Sequence, residues 1–375
     1  MQLYFGIGIL DSRIISHFDD ERKRAMAKEK YVAYVGTYTQ GNSIGIHIYD
    51  VDVAEGTLVE RKVVPMNNSS YITRSKSGKY LYSIADDGVA VFEILSDGDL
   101  KYINEVDIDG MRGCYLSVDA DGKYLFVAGW HDGKITVVHT HRDGRLGSVM
   151  DGVFHQGTGS VAERNFRPRV SCVIPTPENN YLCAVDNGID QVVIYRIDKQ
   201  SDKLERVEII RCRRGSAPRE LVFSNNGKFA YIIYELSNEV GVYTYKDTPK
   251  GPEFEEIQMV STLAEELDPM HDAAQSLTIS PDGKYLVAST AGDNSIAMFA
   301  IDSKTGLLER KMALPISGVY PKDMMFFPDG KHIAVVNHAS NSITTFAIDY
   351  EKNVILLKGK PQKVDTPNCI LIEKI

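Results

Sequence analysis

Two charged residues flank one glycine turn of this sequence at equal distances. Arg219 lies eight positions before Gly227, and Glu235 lies eight positions after it. In a tight antiparallel hairpin centred on that glycine, we expect the two side chains to lie side by side. A carboxylate that takes a proton from water, beside a cation that stabilises an oxyanion, can hydrolyse a bond at a carbonyl carbon. The alternative interpretation of this pair is a structural cross-strand salt bridge.

The turn at Gly227 belongs to a pattern that recurs along the chain. A small turn followed by alternating aromatic and aliphatic residues occurs six times, as SKSGKYLYSI, DADGKYLFVA, TPENNYLCAV, SNNGKFAYII, SPDGKYLVAS and FPDGKHIAVV. A second strand-like pattern occurs seven times, ending at residues 49, 92, 138, 195, 243, 299 and 346. A turn and a short outer strand follow each copy. Four strands in each of seven units predict an all-β fold, a seven-bladed β-propeller.

The first unit lacks an inner strand before YVAYVGTY at 31–38, and the tail CILIEKI at 369–375 can supply it. We therefore expect the C-terminal strand to close the ring by pairing with the N-terminal blade. Residues 31–375 are predicted to form one propeller domain, with residues 1–30 as an N-terminal extension outside the repeat. The apolar run at 3–10 is too short for a good signal peptide. We expect Met26 to be the native start, and a helix packed on the propeller rim is the alternative.

Composition excludes several classes of partner. The formal charge of −9 argues against nucleic acid, and no apolar run approaches the roughly 18 residues of a membrane span. Five cysteines without a C-x-x-C pair fit reduced thiols and a cytoplasmic location. Neither the spacing of histidines and cysteines nor the context of GTGSVAERN fits a metal or nucleotide site, so we expect no cofactor. We expect a monomer or a weak homodimer.

The hairpin arithmetic places polar residues at one end of every inner hairpin, around the central channel. The other equidistant pairs are Ser70/Asp86, Cys114/Trp130, Ser171/Asn187, Gln275/Ala291 and Lys322/His338, and a slip of one residue would bring in Tyr115, Glu220, Asp323 and Asn337. Two long insertions, 155–169 and 252 to about 275, are predicted to enter the same face. Long loops over a charged funnel are typical of binding sites.

Several of these residues have two interpretations. Arg167 and Arg169 could bind a carboxylate or phosphate, or could be solvated at the surface. His155 could be a base near neutral pH, or could anchor the first insertion. Lys322 and His338 could contact a substrate, or could be polar groups that fill the channel. Trp130 could stack on a sugar ring, or could be an aromatic plug of the propeller axis.

Four features of this chain are similar to features of one known family: YVGTYT, the PDGKYL hairpins, HQGTGSVAER, and APRELVFSNNGKFAYIIYE. Together they resemble the seven-bladed propeller lactonases, the 6-phosphogluconolactonase-like group with its muconate-lactonising relatives. The resemblance covers about residues 31–375. It implies a carboxylic ester hydrolase that opens a small anionic sugar lactone, 6-phosphogluconolactone, in carbohydrate metabolism and the pentose phosphate pathway.

The resemblance also implies roles for individual residues. Arg219 matches the arginine of the family's Pro-Arg-His stretch, although Glu220 stands in place of the histidine. Glu235 matches the acidic residue of an Asn-Glu pair, with Tyr234 in place of the asparagine. The insertion contributes further matches: His155, Gly157, Gly159, Glu163 and Arg164.

Two departures from the family pattern concern the substrate. The chain has Pro168-Arg169-Val170-Ser171 where the family has Pro-His-x-His, and Ala291 where the family has an arginine. Three hypotheses are therefore kept. The protein could be a 6-phosphogluconolactonase-like lactonase, a lactonase or cycloisomerase acting on a different lactone, or a non-catalytic propeller that binds a ligand or a protein.

In the leading hypothesis, Glu235 activates water and Arg219 stabilises the oxyanion. Arg169 and Lys322 hold an anionic substituent of the substrate, and His155 is a further candidate catalytic group. The other predicted substrate-binding residues are Arg167, His338, Trp130, Glu163 and Arg164.

Overall fold

The computed structural model of the protein describes residues 29–159, 166–198, 200–263 and 272–375. All regular elements within these ranges are strands, which form seven four-stranded antiparallel sheets. The all-β, seven-bladed prediction is therefore confirmed. Among the described residues, no helix could span a membrane. Residues 1–28, which include most of the predicted extension and Met26, lie outside the described residues.

The strands follow one another from the channel outwards in blades two to seven. Blade two holds β4 (Ile72–Arg74), β5 (Tyr80–Ile84), β6 (Gly88–Ile94) and β7 (Leu100–Asp107), and blade three holds β8 (Tyr115–Val118), β9 (Tyr124–Ala128), β10 (Lys134–Thr140) and β11 (Leu146–Phe154). Blade four holds β12 (Val170–Pro175), β13 (Tyr181–Asp186), β14 (Gln191–Asp198) and β15 (Lys203–Arg211). Blade five holds β16 (Pro218–Phe223), β17 (Phe229–Tyr234), β18 (Glu239–Thr248) and β19 (Gly251–Ser261). Blade six holds β20 (Ala273–Ile279), β21 (Tyr285–Ala291), β22 (Ser295–Ile301) and β23 (Leu308–Pro315). Blade seven holds β24 (Pro321–Phe326), β25 (His332–Asn337), β26 (Ser342–Asp349) and β27 (Val354–Lys363).

Blade one is assembled from both ends of the chain. It holds β1 (Tyr31–Thr37), β2 (Gly45–Asp52) and β3 (Thr57–Pro65), with β28 (Pro367–Lys374) as its innermost strand. β28 runs antiparallel to β1, with Tyr31 opposite Lys374. The predicted closure of the ring by the C-terminal strand is confirmed.

In the described part of the chain the core consists of seven hydrophobic clusters, one between each pair of neighbouring blades. Middle strands such as β9 are buried along their whole length, because a neighbouring blade covers each face. The outermost strands are largely exposed. β19 shows why the second predicted insertion was wrong: residues 252–261, expected in a loop, belong to this exposed and charge-rich outer strand.

The six inner hairpins turn at the expected residues. The turn glycines Gly78, Gly122, Gly227, Gly283 and Gly330 and the turn residue Asn179 all have φ between 59° and 71°, the left-handed region that glycine and asparagine tolerate best. Next to the turn, the two strands of each inner hairpin are therefore paired as the repeat predicts.

Further along the hairpins the register changes at a β-bulge. In blade five, Pro218 pairs with Tyr234 and Glu220 pairs with Ile233, so Arg219 is an extra residue between the two pairs. The equidistant pairing of Arg219 with Glu235 is thus wrong in backbone register. Bulges at the equivalent place involve Ser171, Gln275, Lys322 and Asn368. A bulge re-aims the side chain of its extra residue, here toward the channel.

Candidate active site

The re-aimed side chains meet in a cavity of about 60 Å³ at one end of the channel. Its lining comes from the innermost strands of the blades and the residues just before them. The lining residues are Tyr71, Cys114, Tyr115, Ser171, Arg219, Glu220, Gln275, Ser276, Lys322, Asp323 and Asn368. The predicted ring of inner-strand residues therefore does gather at one mouth, although the bulges change its backbone pairing.

Arg219 and Glu235 form a direct ion pair at this mouth. Arg219 Nη1 lies 2.6 Å from Glu235 Oε2, and the two side chains are only 18% and 20% exposed. Arg219 Nε donates to the Gln275 carbonyl oxygen at 2.9 Å, and Asn187 Nδ2 donates to Glu235 Oε2 at 3.1 Å. Burial opposes the charge of the guanidinium, but the Glu235 carboxylate outweighs it, so the pKa of Arg219 is raised.

Lys322 lies next to this pair. Its Nζ donates to Gln275 Oε1 at 3.3 Å, while Gln275 Nε2 donates to the Ala273 carbonyl oxygen at 3.1 Å and so fixes the orientation of the amide. Gln275 thus holds two cations, one on its backbone oxygen and one on its side chain. Burial, followed by the charge of Arg219, lowers the pKa of Lys322 to about 7.

Two carboxyl groups lie one step further along the inner strands. Glu220 Oε2 accepts from the Leu277 backbone N–H at 2.9 Å, and Asp323 Oδ1 accepts from Ser276 Oγ at 3.0 Å. Burial, together with the charge of Asp323, raises the pKa of Glu220 to about 7. Beside them the rings of Tyr71 and Tyr115 lie 4.4 Å apart. These rings also line a second cavity, on the hairpin side of the blades.

The rim beside blade three carries further cations. The Arg169 guanidinium lies 4.1 Å from the ring centroid of Trp130, and the Arg112 guanidinium lies 5.0 Å from that of Tyr38. Arg167 is exposed next to them, over Phe166. Trp130 is therefore part of the rim, and Tyr71 and Tyr115, not Trp130, line the channel cavity.

The structure places the histidines apart from each other. His155 is buried, with its Nδ1 2.7 Å from Asp186 Oδ2, and it does not line the channel cavity. This environment favours the anchoring interpretation of His155 over the catalytic one. His338 Nδ1 contacts the Pro367 carbonyl oxygen at 3.2 Å, and its ring packs edge-on against Tyr38 and Tyr320 above the channel. Glu163 and Arg164 lie outside the described residues.

Sequence reasoning missed several residues of this mouth, among them Tyr38, Arg112, Tyr320 and Asn368. One signal was available for Asn368. Three inner strands begin with proline followed by a channel residue, in Pro218-Arg219, Pro321-Lys322 and Pro367-Asn368. The residue before each proline has a positive φ, 54° at Ala217, 63° at Tyr320 and 47° at Thr366. This shared strand entry is a sequence mark of the bulge.

A propeller that gathers a guanidinium–carboxylate pair and a buried amine at one channel mouth belongs to the class that binds and polarises a small polar molecule there. The family described as "Lactonase, 7-bladed beta-propeller" matches residues 32–372. The chain belongs to this family, and it is a lactone hydrolase.

Individual relatives agree with this assignment. The chain is 33% identical to a 6-phosphogluconolactonase of Bacillus subtilis, over 79% of this chain and 85% of the relative. A crystal structure of a putative 6-phosphogluconolactonase from Bacteroides fragilis is 31% identical, with a TM-score of 0.85, covering 92% of this chain and 99% of that one. A periplasmic gluconolactonase of Pseudomonas aeruginosa is 27% identical, with a TM-score of 0.86 over the same shares of the two chains.

Proposed function

We propose that the protein hydrolyses 6-phosphoglucono-1,5-lactone to 6-phosphogluconate, a step of the pentose phosphate pathway. The observation that carries the proposal is the Arg219–Glu235 pair beside the channel cavity of a lactonase-family propeller. The names of the Bacillus and Bacteroides relatives support this substrate.

In the proposed reaction, a water oxygen attacks the lactone carbonyl carbon and Glu235 takes the proton of that water. Arg219 stabilises the negative charge that develops on the carbonyl oxygen. The bond between the carbonyl carbon and the ring oxygen then breaks, and the proton held by Glu235 passes to the departing ring oxygen. Arg169 and Lys322 supply positive charge for the anionic substituent. No cofactor or metal takes part in these steps.

Glu235→Gln tests the proposal directly. We expect the substitution to lower kcat for 6-phosphogluconolactone by about 100-fold or more, because the amide cannot accept the proton. The measurement is acid release above the spontaneous hydrolysis rate. The matched control is Glu309→Gln, since Glu309 is 73% exposed on the outer strand β23 and pairs with Lys311.

Two outcomes separate the reaction from its mechanism. If the wild-type protein hydrolyses neither 6-phosphogluconolactone nor simple aldonolactones, the proposed function fails. If Glu235→Gln hydrolyses the lactone at the wild-type rate, the role of Glu235 fails and the assignment of the reaction stands.

An unphosphorylated sugar lactone is the second candidate substrate. Ser171 and Ala291 stand where the family pattern has histidine and arginine, and the Pseudomonas relative is named a gluconolactonase. A kcat/KM for glucono-1,5-lactone above that for the phosphorylated lactone would favour this candidate.

We propose a cytoplasmic location, which the five unbridged cysteines support. The Pseudomonas relative is described as periplasmic, so the amount of this protein in the cytoplasm must be compared with the amount in the periplasm. Fractionation of the native host, with enzyme activity measured in each fraction, tests the location.

A further inference from the structure

Three arginines on the rim converge on one histidine. The Met111 N–H, next to Arg112, donates to Asp132 Oδ2 at 2.9 Å, and the His131 ring packs edge-on against Trp130, 4.1 Å from whose centroid the Arg169 guanidinium lies. Burial and then the charges of Arg112 and Arg167 lower the pKa of His131, while Asp132 opposes them and Arg169 adds to them. Arg112 lies just before the inner strand β8, His131 follows the middle strand β9, and the other two arginines end the first insertion. Three separate chain segments therefore bring positive charge to the same place.

None of these arginines has a counter-ion among the residues that the structure describes. The three guanidinium groups lie over aromatic rings, and no carboxylate within the described ranges forms an ion pair with them. Arg169 Nε is buried and has no hydrogen-bond partner within the described ranges. A buried donor without an acceptor is unfavourable in the free protein. An oxygen atom of a bound ligand could accept the hydrogen bond from this N–H.

The carboxylates beside this cluster already have partners. Asp132 accepts from the backbone N–H of Met111 at 2.9 Å and from that of Lys134 at 3.2 Å. Glu235 holds Arg219. Clustered cations without counter-ions repel one another, and a multiply charged oxyanion relieves that repulsion through bidentate contacts with guanidinium groups.

We propose that Arg112, Arg167 and Arg169, with His131, form the binding site for the phosphate group of a phosphorylated sugar lactone. The inference rests on the proposed function and deepens it, because it separates the reacting end of the substrate from its phosphate end. Burial and the charge of Arg167 lower the pKa of Arg169, so a bound dianion would stabilise its charged form.

The cluster is continuous with the cavity. The Arg112 guanidinium lies 5.0 Å from the Tyr38 ring, and His338 packs edge-on against both Tyr38 and Tyr320, at 5.8 Å and 5.7 Å. Lys322, which lines the cavity, has its Nζ 5.2 Å from the Tyr320 ring. The charge of Glu235 also acts on Arg169. A sugar ring over Tyr38 and Trp130 can thus present its lactone carbonyl to Arg219 and its phosphate to the rim.

Trp130 makes binding measurable without catalysis. It is the only tryptophan of the chain, and it lies under Arg169. We expect 6-phosphogluconate and inorganic phosphate to change its fluorescence, with gluconate binding at least tenfold more weakly than 6-phosphogluconate. Arg112→Gln and Arg167→Gln should each weaken 6-phosphogluconate binding about tenfold. The control Arg145→Gln, at an arginine 61% exposed and paired with Asp143, should bind like wild type.

Kinetics give the second readout. We expect Arg112→Gln to lower kcat/KM for the phosphorylated lactone at least tenfold more than for glucono-1,5-lactone. Equal losses for the two lactones, or equal affinities of wild type for 6-phosphogluconate and gluconate, would overturn the phosphate site. Phosphate-dependent binding without lactone hydrolysis would keep the site and refute the proposed function. Hydrolysis of the lactone without phosphate-dependent binding would keep the proposed function and refute the phosphate site.

Discussion

At the scale of single residues, the most unusual group is the buried amine of Lys322. It makes no ion pair with a described carboxylate and is held by a single amide oxygen of Gln275. The charged groups that act on it are Arg219, which disfavours its charge, and the carboxylates of Glu235 and Asp323, which favour it. With a pKa of about 7, the amine is charged below neutral pH and loses that charge as the pH rises through 7.

This titration predicts a pH-dependent affinity for anions. Between pH 6.5 and 8.5, we expect the Kd for 6-phosphogluconate to rise about tenfold. The neutral Lys322 amine loses its charge-assisted hydrogen bond to the bound anion, which costs about 1.5 kcal/mol. Trp130 fluorescence measures the affinity. In Lys322→Arg the side chain stays charged, so its Kd should be nearly constant over this range. A tenfold rise in Lys322→Arg as well would assign the pH dependence to another group.

The sequence predicted which side chains face the channel better than it predicted the backbone pairing that places them there. Counting from the turn glycines placed Arg219 and Lys322 at one mouth, and both line the cavity. The same counting missed the bulges, because it assumes that each residue of one strand faces one residue of the other along the whole hairpin. Arg112 and Tyr38 were missed for another reason: they come from loop and strand-end positions that no repeat predicts.

At the scale of the elements, the first insertion positions its arginines through backbone contacts. Asp186, at the end of β13, accepts from the Arg169 backbone N–H at 2.8 Å and contacts His155 with its other oxygen. Both ends of the insertion are therefore fixed to one carboxylate. The next turn fits closely against the insertion, since a Cβ built on Gly188 would lie 1.7 Å from the Arg167 carbonyl oxygen.

Gly188→Ala should therefore displace the insertion. We expect a severalfold or greater increase in the Kd for 6-phosphogluconate, because the clash involves backbone that carries Arg167 and Arg169. The matched control is Gly147→Ala on β11, where the three atoms nearest to a built Cβ all belong to the side chains of His141 and His139. A Gly188→Ala protein that binds 6-phosphogluconate as tightly as the control would show that the insertion does not set the position of these arginines.

Element boundaries show what periodicity can and cannot predict. The six inner hairpins were predicted from alternation and turn chemistry, and all six turns have the expected backbone conformation. Residues 252–261 were expected in a loop because the repeat copies ending at 243 and 299 are separated by an unusually long spacing of 56 residues. They form β19, since an outermost strand exposes most of its side chains and needs little apolar sequence.

At the scale of the whole molecule, the ring depends on a strand that joins the two ends of the chain. β28 pairs with β1 from Tyr31 to Thr37, and without it β1 would present an open edge to the channel. Ile370 and Ile372 of β28, each 5% exposed, pack into the cluster between blades seven and one. Closing the ring and filling the last blade interface are thus done by the same strand.

Ile372→Ala should weaken this closure. Removing a buried isoleucine side chain typically costs about 3 kcal/mol, which for a domain of this size corresponds to a fall of about 4 °C in Tm. Thermal unfolding followed by circular dichroism measures the change, and Leu356→Ala, at a residue 59% exposed on the outer strand β27, is the control with an expected shift below about 1 °C. Because all seven blades share interfaces with two neighbours, the loss should appear as a single shifted transition. A separate early transition in Ile372→Ala would mean that the first blade unfolds apart from the ring, and an unchanged Tm would mean that the closing strand adds little to stability.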